Sequence, residues 1–100
     1  MAEEVHLTHT AALILQTISA GYRYGFDVMA VTGLPSGTVY PALRRLESSG
    51  LIASKWEKDK EAFADQRPAR KYYRLSAAGE QVLGRAVKRY PLLEQMAPRK

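Results

Sequence analysis

One hundred residues, 46% of them apolar, suffice for one small domain with a single core rather than a disordered chain. The lack of cysteine excludes a disulfide scaffold, a thiolate metal site and a cysteine nucleophile, and no run of about 18 apolar residues is present to span a membrane. The net charge of +5 is uneven: residues 1–43 sum to −2, residues 44–74 carry nine Lys/Arg against five Asp/Glu, and residues 75–100 carry five against two, a gradient that suits a polyanionic partner and equally describes a basic solvated surface.

The first ten residues, MAEEVHLTHT, lack the basic start and apolar run of a signal peptide, so a soluble cytoplasmic protein without membrane contact is expected. Leu7, Ala11, Ile14 and Ile18 share one helical face, which predicts a first helix over about residues 8–20 with Gly21 as its stop. Leu13 points well away from that face, so this helix has apolar contacts to make on two sides, one of them open to a partner subunit. A short second helix is predicted over about residues 25–32, after the YRYG turn and before Gly33, a residue suited to the position that follows a helix. GLPSG then makes a tight connection, with Ser36 placed to cap a third helix that runs to Ser49; Gly50 follows it and Leu51 folds back toward Leu46.

Residues 51–57 (LIASKWE) and 70–75 (RKYYRL) read as strands, joined by a long polar loop that contains a proline. In the second strand Tyr73 and Leu75 share one face, and Tyr72 and Arg74 the other. Ser76 caps a last helix, with Glu80 near its positive end. The order describes a mainly α fold with a small β-hairpin, the layout of a winged helix-turn-helix followed by a C-terminal dimerisation helix. The expected division is residues 1–76 for the winged helix-turn-helix and residues 77–100 for the dimerisation helix.

Within the third helix, Val39, Ala42, Leu43 and Leu46 fall in an arc of about 100°. The opposite face carries Gly37, Pro41, Arg44 and Ser48, flanked by Thr38, Tyr40 and Arg45. The second helix of a helix-turn-helix enters the major groove N-terminal end first. Against such a groove Gly37 and Pro41 add little bulk, while Ser36, Thr38 and Tyr40 supply hydroxyls and the helix N-terminus supplies N–H groups suited to phosphate. Arg44 is central and long enough for a base edge or a phosphate; Arg45 lies nearer the flank and suits the DNA backbone. Pro41 cannot donate to the carbonyl of Gly37 and its ring crowds that group, an adjustment eased by the missing side chain at Gly37. Lys58, Lys60, Arg67, Arg70 and Lys71 add cations for phosphate contacts and a salt-dependent affinity. An ordinary polar helix face has the same pattern.

YRYGFDVM, SGTVYPALRRLESSGLI, the Trp56–Glu57 pair, RPARKYYRL and SAAGE together resemble the PadR-like family of bacterial transcriptional regulators over about residues 7–84. The resemblance implies a winged-helix domain that dimerises through its C-terminal helix with help from the first, and a repressor that binds a palindromic operator and releases it when an effector binds. It implies DNA-facing roles for Ser36, Thr38, Tyr40 and Arg44, minor-groove or phosphate contacts near Arg67 and Arg70, a core position for Tyr73, and a place for Trp56 at the base of the wing. Ser76 stands where the family often has threonine, an exchange that keeps the cap. The family's dimerising segment is often longer than this one, which stops at Lys100; no separate effector domain is expected, and a small-molecule effector would bind at a dimer interface.

Leu83, Ala86, Val87, Tyr90, Leu93 and Ala97 fall on one arc of about 120° of the last helix, opposite Arg85, Lys88 and Arg89. Two readings fit that arc: a homodimer surface completed by Leu13, or a fold-back onto the chain's own first helix. Pro91 is expected to kink or end the helix. His6 and His9 lack a third ligand, so no metal is expected. Trp56 can stack on an apolar ligand or cover the hairpin, and Phe63 can anchor the wing to its base. No Gly-rich phosphate loop, zinc spacing or catalytic motif is present, so neither an enzyme nor a cofactor is expected. The function this supports is a dimeric repressor on double-stranded DNA; the alternative is a winged-helix protein-interaction module or small-molecule sensor without direct DNA contact.

Overall fold

A computed structural model describes residues 7–58, 64, 66 and 69–90. Its elements run α1 (His9–Ser19), α2 (Gly25–Thr32), α3 (Ser36–Ser48), β1 (Ile52–Trp56), β2 (Lys71–Leu75) and α4 (Ala77–Arg89). Thr8 caps α1 by accepting from the Ala11 N–H at 3.1 Å, and Gly21, at φ 110°, turns the chain away after it. The buried face of α1 is wider than the predicted stripe. Ala12 and Leu15 are enclosed beside Ile14 and Ile18, and Thr17 is fully buried with its hydroxyl donating to the Leu13 carbonyl at 2.7 Å. The reason is position: α2, α3, α4 and β2 all pack on α1.

The glycine stops behave as their chemistry requires. Gly33 (φ 75°) and Gly50 (φ 76°) take left-handed conformations after α2 and α3. At the end of α3 the Gly50 N–H donates to the Glu47 carbonyl and the Leu51 N–H to the Leu46 carbonyl, both at 3.0 Å, which is the paired closure of a Schellman motif. The start of α3 differs from the expectation. Pro35, held extended at φ −73° and ψ 159°, occupies the cap position without a side-chain bond, and Ser36 is already the first helical residue.

The strands are shorter than predicted because Leu51 belongs to the closure of α3. They pair antiparallel, Ile52 with Leu75, Ser54 with Tyr73 and Trp56 with Lys71, and one more bond, Glu57 N–H to Arg70 carbonyl at 2.7 Å, extends the ladder. Tyr73 faces the core as expected, 7% exposed. The turn before α2 is stitched to the other edge of β2: Tyr24 bridges Tyr72, and the Tyr73 N–H donates to the Arg23 carbonyl at 2.8 Å.

Ser76 caps α4 by accepting from the Gly79 N–H at 3.0 Å, and its hydroxyl donates to the Gly50 carbonyl at 2.6 Å. Gly79 lies so close to the Leu51 carbonyl that a β-carbon there would collide with it. The helix stops at Arg89; Tyr90 is non-helical (φ −124°, ψ 80°), in keeping with the steric limits on a residue that precedes proline.

Val82, Leu83 and Ala86 are buried within the chain, where α4 packs on α1 and β2. Val87 and Tyr90 are half-buried at the edge of that core, with the Tyr90 hydroxyl donating to the Leu7 carbonyl at 3.1 Å and its ring 4.0 Å from that of His9. Leu83 and Ala86, assigned from the sequence to a partner surface, are therefore enclosed by their own chain, as the fold-back reading of that arc has it. Leu13 is half-buried against the core, and Leu93 lies outside the described residues. Among the described residues no helix is long and apolar enough to cross a membrane.

Candidate nucleic-acid interface

The turn between α2 and α3 is three residues, Gly33 to Pro35, and is held locally. The Thr32 hydroxyl donates to the Val28 carbonyl at 2.6 Å and accepts from the Leu34 N–H at 3.2 Å. Across the two helices, Gly25 leaves room for Tyr40: a β-carbon on Gly25 would lie 2.6 Å from Cε1 of the tyrosine ring. Tyr40 thus packs on the start of α2 while 41% of it stays exposed.

Helix α3 buries Val39, Ala42, Leu43 and Leu46 and exposes Ser36, Gly37, Tyr40, Arg44 and Arg45, with Thr38 and Pro41 half-buried. Pro41 does not break it: the helix is continuous from Ser36 to Ser48. Pro41 has no N–H to give the Gly37 carbonyl, and Gly37 itself is exposed with nothing within 4 Å of a β-carbon position.

The adjacent arginines diverge. Arg45 lines a shallow groove of about 220 Å³ with Leu7, Thr8, Ala11, Leu46 and Leu51 beside the start of α1. Arg44 is exposed, and its charge is felt on the wing. Burial pushes the Tyr73 phenol above its ordinary value; Glu47 and Tyr40 push the same way and Arg44 opposes, so these α3 side chains act on the face of β2 that carries Tyr73. Glu47 joins helix to hairpin directly, accepting from the Ser54 hydroxyl and pairing with the Lys71 ammonium at 3.8 Å.

A second cluster sits on the opposite face of the hairpin. Glu57 is 8% exposed. The Tyr24 hydroxyl donates to its Oε2 and the Arg70 N–H to its Oε1, each at 3.4 Å. The Arg70 guanidinium lies 3.8 Å from Glu57 Oε2 and 3.9 Å from the centre of the Tyr24 ring, yet 42% of that side chain is exposed. Arg70 is therefore oriented by two neighbours while its outer edge still meets solvent. Lys58 is exposed; Lys60, Arg67 and Phe63 lie outside the described residues. Trp56 does not cover the hairpin, since 63% of it is exposed.

The sequence reading missed Glu47, Glu57 and Tyr24. The signal for Glu57 was present as an acidic residue opposite Arg70, but only the strand register makes the two neighbours. No local pattern marks Glu47: its link to Ser54 and Lys71 depends on how the hairpin packs against α3.

Two helices at a tight turn, the second with a bare polar face, and a cation-bearing hairpin beside it define a winged helix-turn-helix protein. Residues 14–85 match the model of the transcriptional regulator PadR-like family, and the chain belongs to that family. Solved structures agree. A PadR family transcription regulator from hypervirulent Clostridium difficile R20291 superposes with a TM-score of 0.73 at 25% identity, covering 88% of this chain and 93% of that one. A PadR family transcriptional regulator from Eggerthella lenta DSM 2243 gives 0.61 at 28% identity, over 83% and 74% of the two chains. A Streptococcus transcriptional regulator gives 0.65 at 26% identity, over 85% and 84%. No curated protein matches the chain.

Proposed function

We propose that this chain is a DNA-binding repressor that acts in the cytoplasm as a homodimer on a palindromic operator. The observation that carries this reading is the division of α3: four apolar residues are buried, while Ser36, Gly37, Tyr40, Arg44 and Arg45 remain exposed beside a cationic hairpin. Each subunit sets α3 in a major groove. The uncapped N–H groups of its first turn and the hydroxyls of Ser36, Thr38 and Tyr40 meet phosphate, and Gly37 and Pro41 keep the approach slim. Arg44 reads a base edge; Arg45, Lys58, Lys60, Arg67, Arg70 and Lys71 hold the backbone. Residues 77–100 join the subunits through Val87 on the outer rim of α4 and Tyr90 just beyond its end, with Leu93 and Leu13, because Leu83 and Ala86 already face their own core. An effector acts at that dimer interface. A family of transcription regulators supports a role without enzymatic chemistry.

Selection of bound sequences from random DNA tests the reading. The expected product is a palindrome with half-sites about one helical turn apart; failure to enrich any sequence contradicts it. Arg44→Ala is expected to weaken operator binding by about 1–3 kcal/mol and random-DNA binding far less. An equal loss on both would reduce Arg44 to a phosphate contact.

A further inference from the structure

Trp56 is the chain's one tryptophan, and its indole stands 63% exposed at the outer end of β1. Its direction is imposed by its neighbour. Glu57 is tied to Tyr24 and Arg70 on one face of the hairpin, so strand alternation sends Trp56 to the other face, in line with Ile52 and Ser54 and opposite Lys71. Nearer the core that face is covered: Ile52 is 3% exposed and Tyr73 7%. Further out its company is the outer side of α3, where Glu47 accepts from Ser54 and pairs with Lys71, the cross-strand partner of Trp56. The indole therefore stands just beyond the line where α3 meets the wing. Lys58, exposed and two residues further on, falls on the same side of the chain, and Lys71 faces the indole across the sheet, whereas Lys55, opposite Tyr72, projects from the other face. The one carboxylate joining α3 to this face, Glu47, is already occupied by Ser54 and Lys71.

A large apolar ring in a cationic surround fits a ligand that offers apolar and anionic surface in alternation. A DNA strand does this along its backbone, with deoxyribose C–H faces between phosphates. An apolar protein surface would have to accept two ammonium groups, those of Lys58 and Lys71, beside its contact. We propose that Trp56 is a DNA-contact residue whose indole packs on deoxyribose of the strand bordering the groove entered by α3, with Lys58 and Lys71 on the adjacent phosphates. The inference rests on the DNA-binding reading above and adds to it a sequence-independent apolar contact.

The full chain carries its own probe, since all tryptophan emission comes from Trp56. A labelled random-sequence duplex of about two helical turns, at low salt, and a duplex from the region upstream of the gene are titrated in parallel. Anisotropy of the label and emission and iodide quenching of Trp56 are read together. Trp56 emission is expected to change, and its access to iodide to fall, in step with anisotropy on both duplexes. W56A is expected to weaken binding about tenfold at every salt concentration with the salt slope unchanged, because no phosphate contact is removed. W56F should recover most of that loss. A rise in anisotropy with unchanged Trp56 emission overturns the inference and leaves DNA binding intact, whatever the variants do. So does an emission change accompanied by wild-type affinity in W56A, or a W56A loss that appears as a reduced salt slope. No anisotropy change on either duplex overturns both the inference and the reading beneath it. The emission arm uses the unmutated protein, so it does not depend on how any variant folds.

Discussion

Helices α3 and α4 are each 13 residues long and each has four buried positions, yet their ends are built differently. Ser76 caps α4, Glu80 stands in its first turn, and Lys88 and Arg89 in its last, so hydrogen bonds and charge both favour the helix. Helix α3 has no side-chain cap and no acid in its first turn, a glycine at its second position and a proline in its interior. Its stability comes from the buried face and from the Schellman closure at Gly50. What α4 supplies for itself at its N-terminus, an acceptor and a negative charge, α3 leaves for something else to supply. A phosphate provides both, and an acidic side chain there would repel it. The contrast separates a helix that fastens the fold from one that presents a surface.

The sharpest way to break that contrast is at Gly79. Gly79→Ala drives a methyl group into the Leu51 carbonyl and is expected to cost about 3 kcal/mol in chemical denaturation. An unchanged midpoint would mean that α4 is not pinned there. The two serines that open the helices come next. Ser76→Ala should lose about 1 kcal/mol of stability, whereas Ser36→Ala should change stability by less than about 0.5 kcal/mol while weakening DNA binding. Equal stability losses would make Ser36 a cap after all. Gly37→Ala sharpens the comparison in the opposite sense. The space around it is open, so it should stabilise the fold by about 0.5–1 kcal/mol, yet the added methyl should weaken DNA binding. Gain on both measures would remove Gly37 from the interface.

The smallest effect is in pH. Burial, then Glu47 and Tyr40, raise the Tyr73 phenol in the folded chain. As pH climbs past about 10 the unfolded chain releases this proton first and the folded chain still holds it, so stability falls with rising pH until the folded group ionises. Tyr73→Phe should remove that part of the alkaline decline, measured as denaturation midpoints between neutral and strongly alkaline pH. An identical decline in the variant would assign it to other groups.

The parts of this contrast that sequence makes legible are those set by local chemistry. Gly21, Gly33 and Gly50 end helices because left-handed or turn conformations suit them, and the apolar spacing of Val39, Ala42, Leu43 and Leu46 fixes which side of α3 is buried. Alternation in KYYRL puts Tyr73 inward. Periodicity, however, says that a face meets something apolar without saying which chain supplies it: Leu83 and Ala86 read as partner contacts and are enclosed by α1 and β2 of their own chain. The cap of α3 was misplaced by one residue because Ser36 has the better side chain, while Pro35 has the backbone geometry. The Glu57–Arg70–Tyr24 cluster and the outward Trp56 depend on strand register and on residues more than a dozen positions apart, which no local pattern encodes.

The central claim, that the bare face of α3 and the wing bind DNA, is tested most directly by anisotropy of a labelled duplex from the region upstream of the gene, titrated across salt concentration with wild type and Arg44→Ala. The expected result is saturable binding by the wild type, tighter than on a random duplex, with log K falling linearly against log salt as several phosphate contacts require, and a selective loss of the preferred duplex in Arg44→Ala. Absence of saturable binding at low salt, or a wild-type affinity equal on both duplexes and unmoved by Arg44→Ala, would contradict it.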